Sequence, residues 1–471
     1  MTKYVVYGLG KSGLSAVNFL AKNGEEVVAT DDSEKAIFDA KTAFEKSAAA
    51  ANSKVIFSAA DKIEYAADTL ISFAPGIPLY FPRPHKILEI VKKTGADLAC
   101  DIEIFYRKNS QNNFIAITGT NGKSTTTALA GFVFEQLGLK SAIGGNIGIA
   151  CFDLPQNQQN FSYIFETSSY QLDLLSKTHF GIAALLNITP DHIDRHGSIT
   201  GYIAAKKRVF RNQTIGDFAL IDADNENSKS VLCELQNDKN FRATLVPIST
   251  QEILENGVAL IDGKLTCKIA GNNFTAELKS EFLRGKHNEQ NMAFAFAIAY
   301  CHALRQGLKI APEKIIAAIK KFRGLRHRMQ ILGDIGNVKF INDSKATNAE
   351  STQHALKAYD NIFWILGGKA KEGGITHLAP LFNKVVKAYL VGEASEEFAE
   401  VLEKNSVKFE KCGDLKTAFA QAFSDTKIIG FSQNNILLSP ACASFDQWKN
   451  FEERGDYFCK LFDELQQRIS E

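Results

Sequence analysis

The stretch Phe114-Ile115-Ala116-Ile117-Thr118-Gly119-Thr120-Asn121-Gly122-Lys123-Ser124 decides the fold class. Its first half is short, apolar and rich in β-branched residues, the composition of a strand buried on both faces. A glycine-rich turn follows, then a helical pattern from Thr125 to Leu137. Strand, glycine-rich turn and helix in that order make a mononucleotide-binding unit of an α/β domain. Backbone N–H groups in such a turn cradle phosphates, Lys123 offers a point charge to the β- and γ-phosphates, and the Ser124 hydroxyl suits Mg²⁺. The spacing departs from the usual G-x4-G-K-[ST] pattern, because Ile117 stands where its first glycine would fall. A chance Gly-Lys-Ser in a surface turn is common. One set between a buried strand and a helix is not, so phosphate binding is expected.

Working toward the N-terminus, Tyr4-Val5-Val6-Tyr7 runs into Gly8-Leu9-Gly10-Lys11-Ser12-Gly13, a helical stretch and a second strand, Val27-Val28-Ala29, ending at Asp31 and Asp32. Gly-x-Gly-x-x-Gly after a strand is the dinucleotide fingerprint, but alone it is weak. A nicotinamide or flavin dinucleotide, a nucleotide-sugar and a plain tight turn all remain open. Ile71 to Pro78 reads as a later strand ending in the Pro75-Gly76 turn, Val258 to Thr275 as a β excursion with Asp262-Gly263 as a hairpin signal, and the alanine run Ser47 to Ala51 as helix.

Working toward the C-terminus, a third block opens after Arg323-Gly324. Strands Lys339 to Asp343, Ile362 to Gly368 and Asn435 to Ser439 each end in a polar loop: Asp343-Ser344-Lys345-Ala346-Thr347-Asn348, Gly367-Gly368-Lys369-Ala370-Lys371 and Ser439-Pro440-Ala441-Cys442-Ala443-Ser444-Phe445-Asp446. Ligands of open parallel sheets sit beyond the strands' carboxyl ends. Caps and turns explain each loop alone. Lysines and several hydroxyls together point to a small anionic substrate.

Bulk properties set the outer limits. At 471 residues and ~100–200 residues per domain, two to four domains are expected. A net charge of +1 gives no general pull toward nucleic acid or anionic membrane. None of the eight cysteines forms a CxxC pair, which fits a reducing compartment and no structural zinc. The first residues enter a strand and turn directly, without an export-signal pattern, and the most apolar run, Met292 to Leu304, is too short to span a bilayer and reads as a buried helix.

Four further segments follow strands or precede helices. Glu166 ends a strand before Thr167-Ser168-Ser169-Tyr170-Gln171, where an acid suits Mg²⁺ and equally suits a helix N-cap region. His192 and His196, in Asn187-Ile188-Thr189-Pro190-Asp191-His192-Ile193-Asp194-Arg195-His196, have the i,i+4 spacing of helical metal pairs without a third ligand nearby. Lys206, in Ala204-Ala205-Lys206-Lys207-Arg208, reads on composition as a solvated basic face. Arg326-His327-Arg328 sits at a domain junction, and arginine there serves either a transferring phosphoryl group or an ion pair.

Taken in order, GTNGKS (Gly119 to Ser124), GGNIG (Gly144 to Gly148), ETSSYQL (Glu166 to Leu172), NITPDHIDRH (Asn187 to His196), the Lys206 segment, HNEQN (His287 to Asn291), RHR (Arg326 to Arg328), NDSKATN (Asn342 to Asn348) and SPACASFDQWKNFEERG (Ser439 to Gly455) resemble the Mur ligase family. The first glycine turn, NDSKATN and the last motif are similar to its D-glutamate-adding branch. The resemblance implies an α/β chain of three domains: a Rossmann-like UDP-sugar domain (1–101), a central P-loop-type ATP domain (102–324) and a Rossmann-like amino-acid domain (325–471). It implies a cytoplasmic, monomeric ATP-dependent ligase of peptidoglycan precursor synthesis, and so of cell wall biogenesis, cell shape and division. Its substrates would be ATP, UDP-N-acetylmuramoyl-L-alanine and D-glutamate, with two Mg²⁺ ions as cofactor and neither nucleic acid nor membrane insertion as partner.

Carried over by motif, Gly119, Thr120, Asn121, Gly122, Lys123, Ser124, Thr125, Asn291, Arg328 and Asp343 would meet ATP. Ser124, Glu166, His192 and Lys206 would serve the metal ions, with Lys206 carbamylated into a carboxylate-like ligand. Lys123, Glu166, His192 and Lys206 would carry catalysis. Gly10, Lys11, Ser12, Asp32, Pro75, Gly76, Asn146, Ser168 and His192 would meet the UDP-sugar, which settles the first glycine turn on a uridine diphosphate. Lys345, Thr347, Lys371, Ser444, Phe445 and Phe451 would meet D-glutamate. Closure of the C-terminal domain about Arg323-Gly324 is expected to shield an acyl-phosphate from water, and Lys123→Ala is expected to cost activity far more than stability. Rival readings are a folylpolyglutamate-synthetase-like ligase, which substrate choice separates, an NAD-binding and P-loop regulator, which has no need of a third anionic pocket, and a nucleotide-binding protein without turnover.

Overall fold

The structure, a computed structural model, describes residues 3–50, 53–147, 149–156, 158–283, 285–369, 374–429 and 431–470. The chain divides into two compact units, Met1–Phe322 and Arg323–Glu471.

The first unit holds two sheets. The N-terminal one comprises β1 (Lys3–Tyr7), β2 (Glu26–Thr30), β3 (Lys54–Phe57), β4 (Thr69–Phe73) and β5 (Asp97–Ala99), in the order β3-β2-β1-β4-β5 with every neighbouring pair parallel. The order reverses between β1 and β4, so the Gly8–Gly13 turn and the Pro75-Gly76 turn lie side by side at the switch point, where ligands of such sheets bind. Close packing there demands glycine: a Cβ on Gly13 would lie 1.8 Å from the Gly8 carbonyl oxygen.

The central sheet comprises β6 (Asn113–Thr118), β7 (Ser141–Gly145), β8 (Ser162–Glu166), β9 (Ile182–Leu185), β10 (Phe218–Asp222), β11 (Thr244–Ser249), β12 (Gly257–Ile261), β13 (Lys264–Ile269) and β14 (Asn272–Glu277), ordered β14-β13-β12-β11-β10-β9-β6-β8-β7. It is parallel from β7 to β12 and antiparallel thereafter. The expected Asp262-Gly263 hairpin is present, with both residues at positive φ, 49° and 81°, the twist that suits a two-residue turn. The apolar run becomes the middle of the helix Lys286–Arg305, buried continuously from Asn291 to Ala303. Among the described residues no helix is long and apolar enough to cross a membrane.

The second unit is built on β15 (Gln330–Ile335), β16 (Val338–Asn342), β17 (Ile362–Gly367), β18 (Val385–Val391), β19 (Phe409–Gly413) and β20 (Asn434–Leu438), in the order β15-β16-β20-β17-β18-β19. Only β15 runs antiparallel. The three strands that precede the polar loops, β16, β20 and β17, are therefore immediate neighbours with their carboxyl ends on one edge.

One expectation fails. The alanine run is not helical where described: the helix Glu34–Glu45 stops short of it, and successive turns follow, Ser47 N–H to Phe44 O at 2.8 Å and Ala50 N–H to Ser47 O at 3.2 Å. Phe44 and Ala49 are both buried here. Turning the chain back toward β3 outweighs alanine's helix propensity. Ala51 lies outside the described residues.

Candidate active site

The phosphate-loop candidate joins β6 to the helix Lys123–Gln136, and no side chain caps that helix's first turn. Its first-turn amides keep the donor capacity and positive end of dipole that favour an anion. Gly122, at φ +84°, admits no side chain, since a Cβ would sit 2.5 Å from Asn291 Oδ1. That oxygen accepts from Thr126 Oγ1 at 3.1 Å, which brings the Asn291 motif against the loop. The segment after β9 holds the loop from the other side. Asn187 accepts from Asn121 N–H at 2.8 Å through Oδ1 and donates to Asn121 O and Gln290 Oε1, both at 3.1 Å, through Nδ2. Thr120 Oγ1 donates to Thr189 O at 3.1 Å. This clamp was not singled out from the sequence. Asn187 at the mouth of a parallel strand was its only signal.

Lys206 belongs to this loop and not to a solvated face. It lies near the end of the helix Ile199–Lys207, is 1% exposed, and donates to Gly119 O at 2.7 Å and Thr118 Oγ1 at 3.4 Å. Its ammonium stands 4.6 Å from the Tyr202 ring centroid, and the Tyr202 hydroxyl is 3.3 Å from Thr120 Oγ1. Lys123 donates to Gly119 O at 2.9 Å and Thr120 O at 2.8 Å. Burial, with Lys123 beside it, pushes the Lys206 amine down to about 7.

Glu166 closes β8, next to β6. Its carboxylate is buried; Oε1 accepts from Asn146 Nδ2 at 3.2 Å, and Oε2 has no hydrogen-bond partner among the described residues. A buried anionic oxygen left unpaired costs free energy unless something cationic meets it, so this carboxylate fits a Mg²⁺ ion. Ser168 and Gln171 form a capping box at the helix Ser169–Leu172. His192 is exposed, left-handed at φ 51°, with Nδ1 2.8 Å from the Tyr170 hydroxyl. It precedes the short helix Ile193–His196, so the i,i+4 spacing makes no paired metal face. His196 instead meets Ser169 Oγ at 2.9 Å, and burial together with Arg195 pushes it down to about 4.

At the N-terminal sheet, Gly10, Lys11 and Ser12 are exposed where the helix Lys11–Lys22 starts. Asp31 accepts from Leu9 N–H at 2.7 Å and fixes the glycine turn. Burial alone would raise Asp32, but hydrogen bonds from Lys86, Tyr7 and His85 hold it at about 2. A cavity of about 410 Å³ is lined by Asp32, Ile77, Pro82, Arg83, His85 and Lys86. Of these, sequence reading had singled out only Asp32.

In the second unit the three loops are stitched together. Lys369 and Ala443 exchange backbone hydrogen bonds at 2.9 and 3.1 Å. Arg454, on the helix Phe451–Ser470, donates from Nε to Ser344 Oγ at 2.9 Å and from Nη2 to Ser344 O at 2.8 Å and Cys442 O at 3.2 Å. Among the described residues its buried Nη1 has no hydrogen-bond partner and no carboxylate forms an ion pair with it. Burial pulls the guanidinium down to about 10. Lys345 lies 5.8 Å from the Phe451 ring centroid, Thr347 N–H donates to Lys345 O at 2.8 Å, Ser444 is buried and Phe445 is exposed. Asp343 is pushed up to about 7 by burial, while Ser439 Oγ and Met329 N–H donate to it at 2.7 and 3.0 Å. Arg328 is exposed, and Lys371 lies outside the described residues.

Known proteins resemble this chain in sequence along nearly its whole length. Residues 2–96 match the model of the Mur ligase MurD-like N-terminal domain, 117–299 the Mur ligase middle domain and 327–442 the Mur ligase glutamate ligase domain. A UDP-N-acetylmuramoylalanine--D-glutamate ligase of Rickettsia bellii is 38% identical over 460 residues, covering 98% of this chain and 97% of its own. One from Caulobacter sp. is 40% identical over 463 residues, covering 96% and 94%. A crystal structure of MurF from Acinetobacter baumannii shares the fold, with a TM-score of 0.53 at 16% identity over 76% of this chain and 79% of its own. With an uncapped glycine turn backed by two lysines, three sheets in sequence and near-full-length relatives at this identity, the chain belongs to the Mur ligase family.

Proposed function

We propose that this chain is an ATP-dependent ligase that adds D-glutamate to UDP-N-acetylmuramoyl-L-alanine, in the cytoplasm, through an acyl-phosphate. The relatives that carry this activity in their names span nearly the whole chain. The observation that carries the chemistry is the meeting of Lys123 and Lys206 at the Gly119 carbonyl, with the unpaired Glu166 oxygen at the adjacent strand end. Residues 1–101 take the UDP-sugar, 102–324 the ATP and 325–471 the amino acid.

A carboxylate is a poor electrophile near neutral pH. Its oxygen attacks the γ-phosphorus of ATP, ADP leaves, and the resulting acyl-phosphate carries a good leaving group. The D-glutamate amine then attacks the carbonyl carbon, and the tetrahedral intermediate collapses as the C–O bond to phosphate breaks. The nitrogen sheds its proton as the amide forms. The chain's own part is positioning and charge neutralisation. The first-turn amides and Lys123 hold the phosphates, Asn187 keeps the loop in place, and Arg454 offers an unspent N–H among the second unit's loops. Glu166, His192, Ser124 and a carbamylated Lys206 would hold two Mg²⁺ ions, which neutralise the phosphate and substrate carboxylate charges. An amine pushed down to about 7 is partly neutral and nucleophilic toward CO₂, which supports the carbamate.

The test is phosphate release from ATP and Mg²⁺ with UDP-N-acetylmuramoyl-L-alanine, adding D-glutamate, L-glutamate or diaminopimelate in turn. Release that needs both the UDP-sugar and D-glutamate, with a product heavier by one glutamyl residue, is expected. Release with another amino acid keeps the mechanism and changes the substrate. No release with any pair rejects the ligase reading.

A further inference from the structure

Arg195 makes contacts that nothing in the reaction scheme explains. Its Nη2 donates to two backbone carbonyls of the turn after β4, Pro75 O at 2.8 Å and Ile77 O at 2.5 Å. Its guanidinium carbon lies 4.4 Å from the Tyr170 ring centroid, and the hydroxyl of that same ring meets His192 Nδ1 at 2.8 Å. Among the described residues no carboxylate takes Arg195 as an ion-pair partner, although Asp194 is its chain neighbour. The guanidinium is thus committed to geometry: one nitrogen shared between two carbonyls, with its plane over a ring.

Both ends of this link are placed by independent contacts. The turn is closed by Ile77 N–H donating to Ala74 O at 3.0 Å. It lies directly over the glycine turn, since a Cβ on Gly8 would fall 2.6 Å from Ala74 Cβ and 2.8 Å from Ile77 Cδ1. Beyond it, the Phe81 ring covers Gly197, whose Cβ would lie 2.7 Å from Phe81 Cζ. The residues that follow β1 and β4 in one sheet are thereby referred to the His192 segment that follows β9 in the other.

We infer that Arg195 is a positioning residue that locks the nucleotide-sugar turn at Pro75–Ile77 to the His192 segment, so that the UDP-sugar is held in register with the phosphate loop. The identity of that ligand rests on the function proposed above. A lysine cannot reproduce the lock, because an ammonium has no planar face to lay on the Tyr170 ring while its nitrogen reaches both carbonyls.

The experiment compares wild type with Arg195→Lys and Arg195→Ala, the lysine variant being mild enough to guard against a folding defect. KM is measured separately for UDP-N-acetylmuramoyl-L-alanine and for ATP, and amide hydrogen exchange is followed over residues 74–81. Both variants are expected to raise the UDP-sugar KM by about tenfold or more, because a small misplacement of a bound group is costly. ATP KM should stay within about twofold and exchange over 74–81 should accelerate. An unchanged UDP-sugar KM, an equal rise in both KM values, or a lysine variant indistinguishable from wild type overturns the inference. If wild type itself releases no phosphate with the UDP-sugar and D-glutamate, the functional reading fails on its own. The lock is then decided by exchange over 74–81 and by calorimetric affinity for UDP, both unchanged in the variants if it is wrong.

Discussion

Lys123 and Lys206 donate to the same acceptor: their ammonium groups lie 2.9 and 2.7 Å from the Gly119 carbonyl oxygen. Two cations converging on one carbonyl, one of them fully buried, repel each other until an anion arrives. Burial first, and Lys123 second, hold the Lys206 amine at about 7 against an ordinary 10.5. Between those values the unfolded chain carries a proton that the folded chain lacks, so stability rises with pH across that window, and below about 7 the buried ammonium weighs against the fold. Lys206→Met should flatten this rise. Melting temperatures of wild type and variant from pH 7 to 10 measure it, and an unaltered slope in the variant would place the missing proton on another group.

Glu166→Gln tests the unpaired oxygen. The replacement is nearly isosteric and can still accept from Asn146, but it no longer carries the charge that suits a divalent cation. Half-saturating Mg²⁺ should rise by about tenfold and turnover fall by about 100-fold, the scale on which a lost electrostatic contact to a reacting group acts. The melting temperature should hardly move, since the variant also loses a buried charge. A wild-type Mg²⁺ titration curve would show that this oxygen serves the fold alone.

What was legible in the sequence was local. The phosphate loop spans a few consecutive residues, so strand, turn and helix could be read together. The loops after β16, β17 and β20 were visible as polar ends of apolar runs, and the sheet order made them neighbours. What was not legible depended on distant pairing. Asp31 serves Leu9 across 22 positions, and Arg454 reaches Ser344 across 110. Lys206 looked like part of a basic face until the fold buried it against Gly119, and His196, whose spacing from His192 suggested a metal pair but lacked a third ligand, turns to Ser169. The alanine run near Ser47 shows the converse, with helix propensity losing to a turn anchored by Phe44.

Glu103 is a structural counterpart to these site residues. Fully buried on the helix Asp101–Asn109, it accepts from the Ser176, Lys177 and Thr178 amides, from the Ser176 and Thr178 hydroxyls and from Arg107. Burial alone would raise its pKa, but these donors hold it below the usual 4.5. Its contribution is therefore present above about 4.5 and is lost as pH falls toward the folded value. Glu103→Ala should cost about 3 kcal/mol in urea unfolding at neutral pH, because several buried donors lose their acceptor. The cost should shrink in acid, and every KM should stay unchanged. A shifted KM would mean that Glu103 also shapes the site.

Arg454 is the most exacting case, because its charge is buried and, among the described residues, no carboxylate pairs with it directly; Asp446 acts on it only through its field. Two of its nitrogens tie Ser344 and Cys442 together, while Nη1 is buried near Gly368 with no partner among the described residues. A purely structural link between two carbonyls does not need a third, unsatisfied N–H. An incoming carboxylate would satisfy it through a charge-assisted hydrogen bond, the stronger kind. Arg454→Met removes a desolvated buried charge and also two carbonyl contacts, effects of opposite sign, so the melting temperature should move little. The D-glutamate KM should rise by about tenfold or more, the scale of one charge-assisted hydrogen bond, with ATP and UDP-sugar KM values held within about twofold. If instead D-glutamate KM is unchanged while the protein melts earlier, the guanidinium is a loop staple and the amino acid's carboxylates are met elsewhere in the second unit.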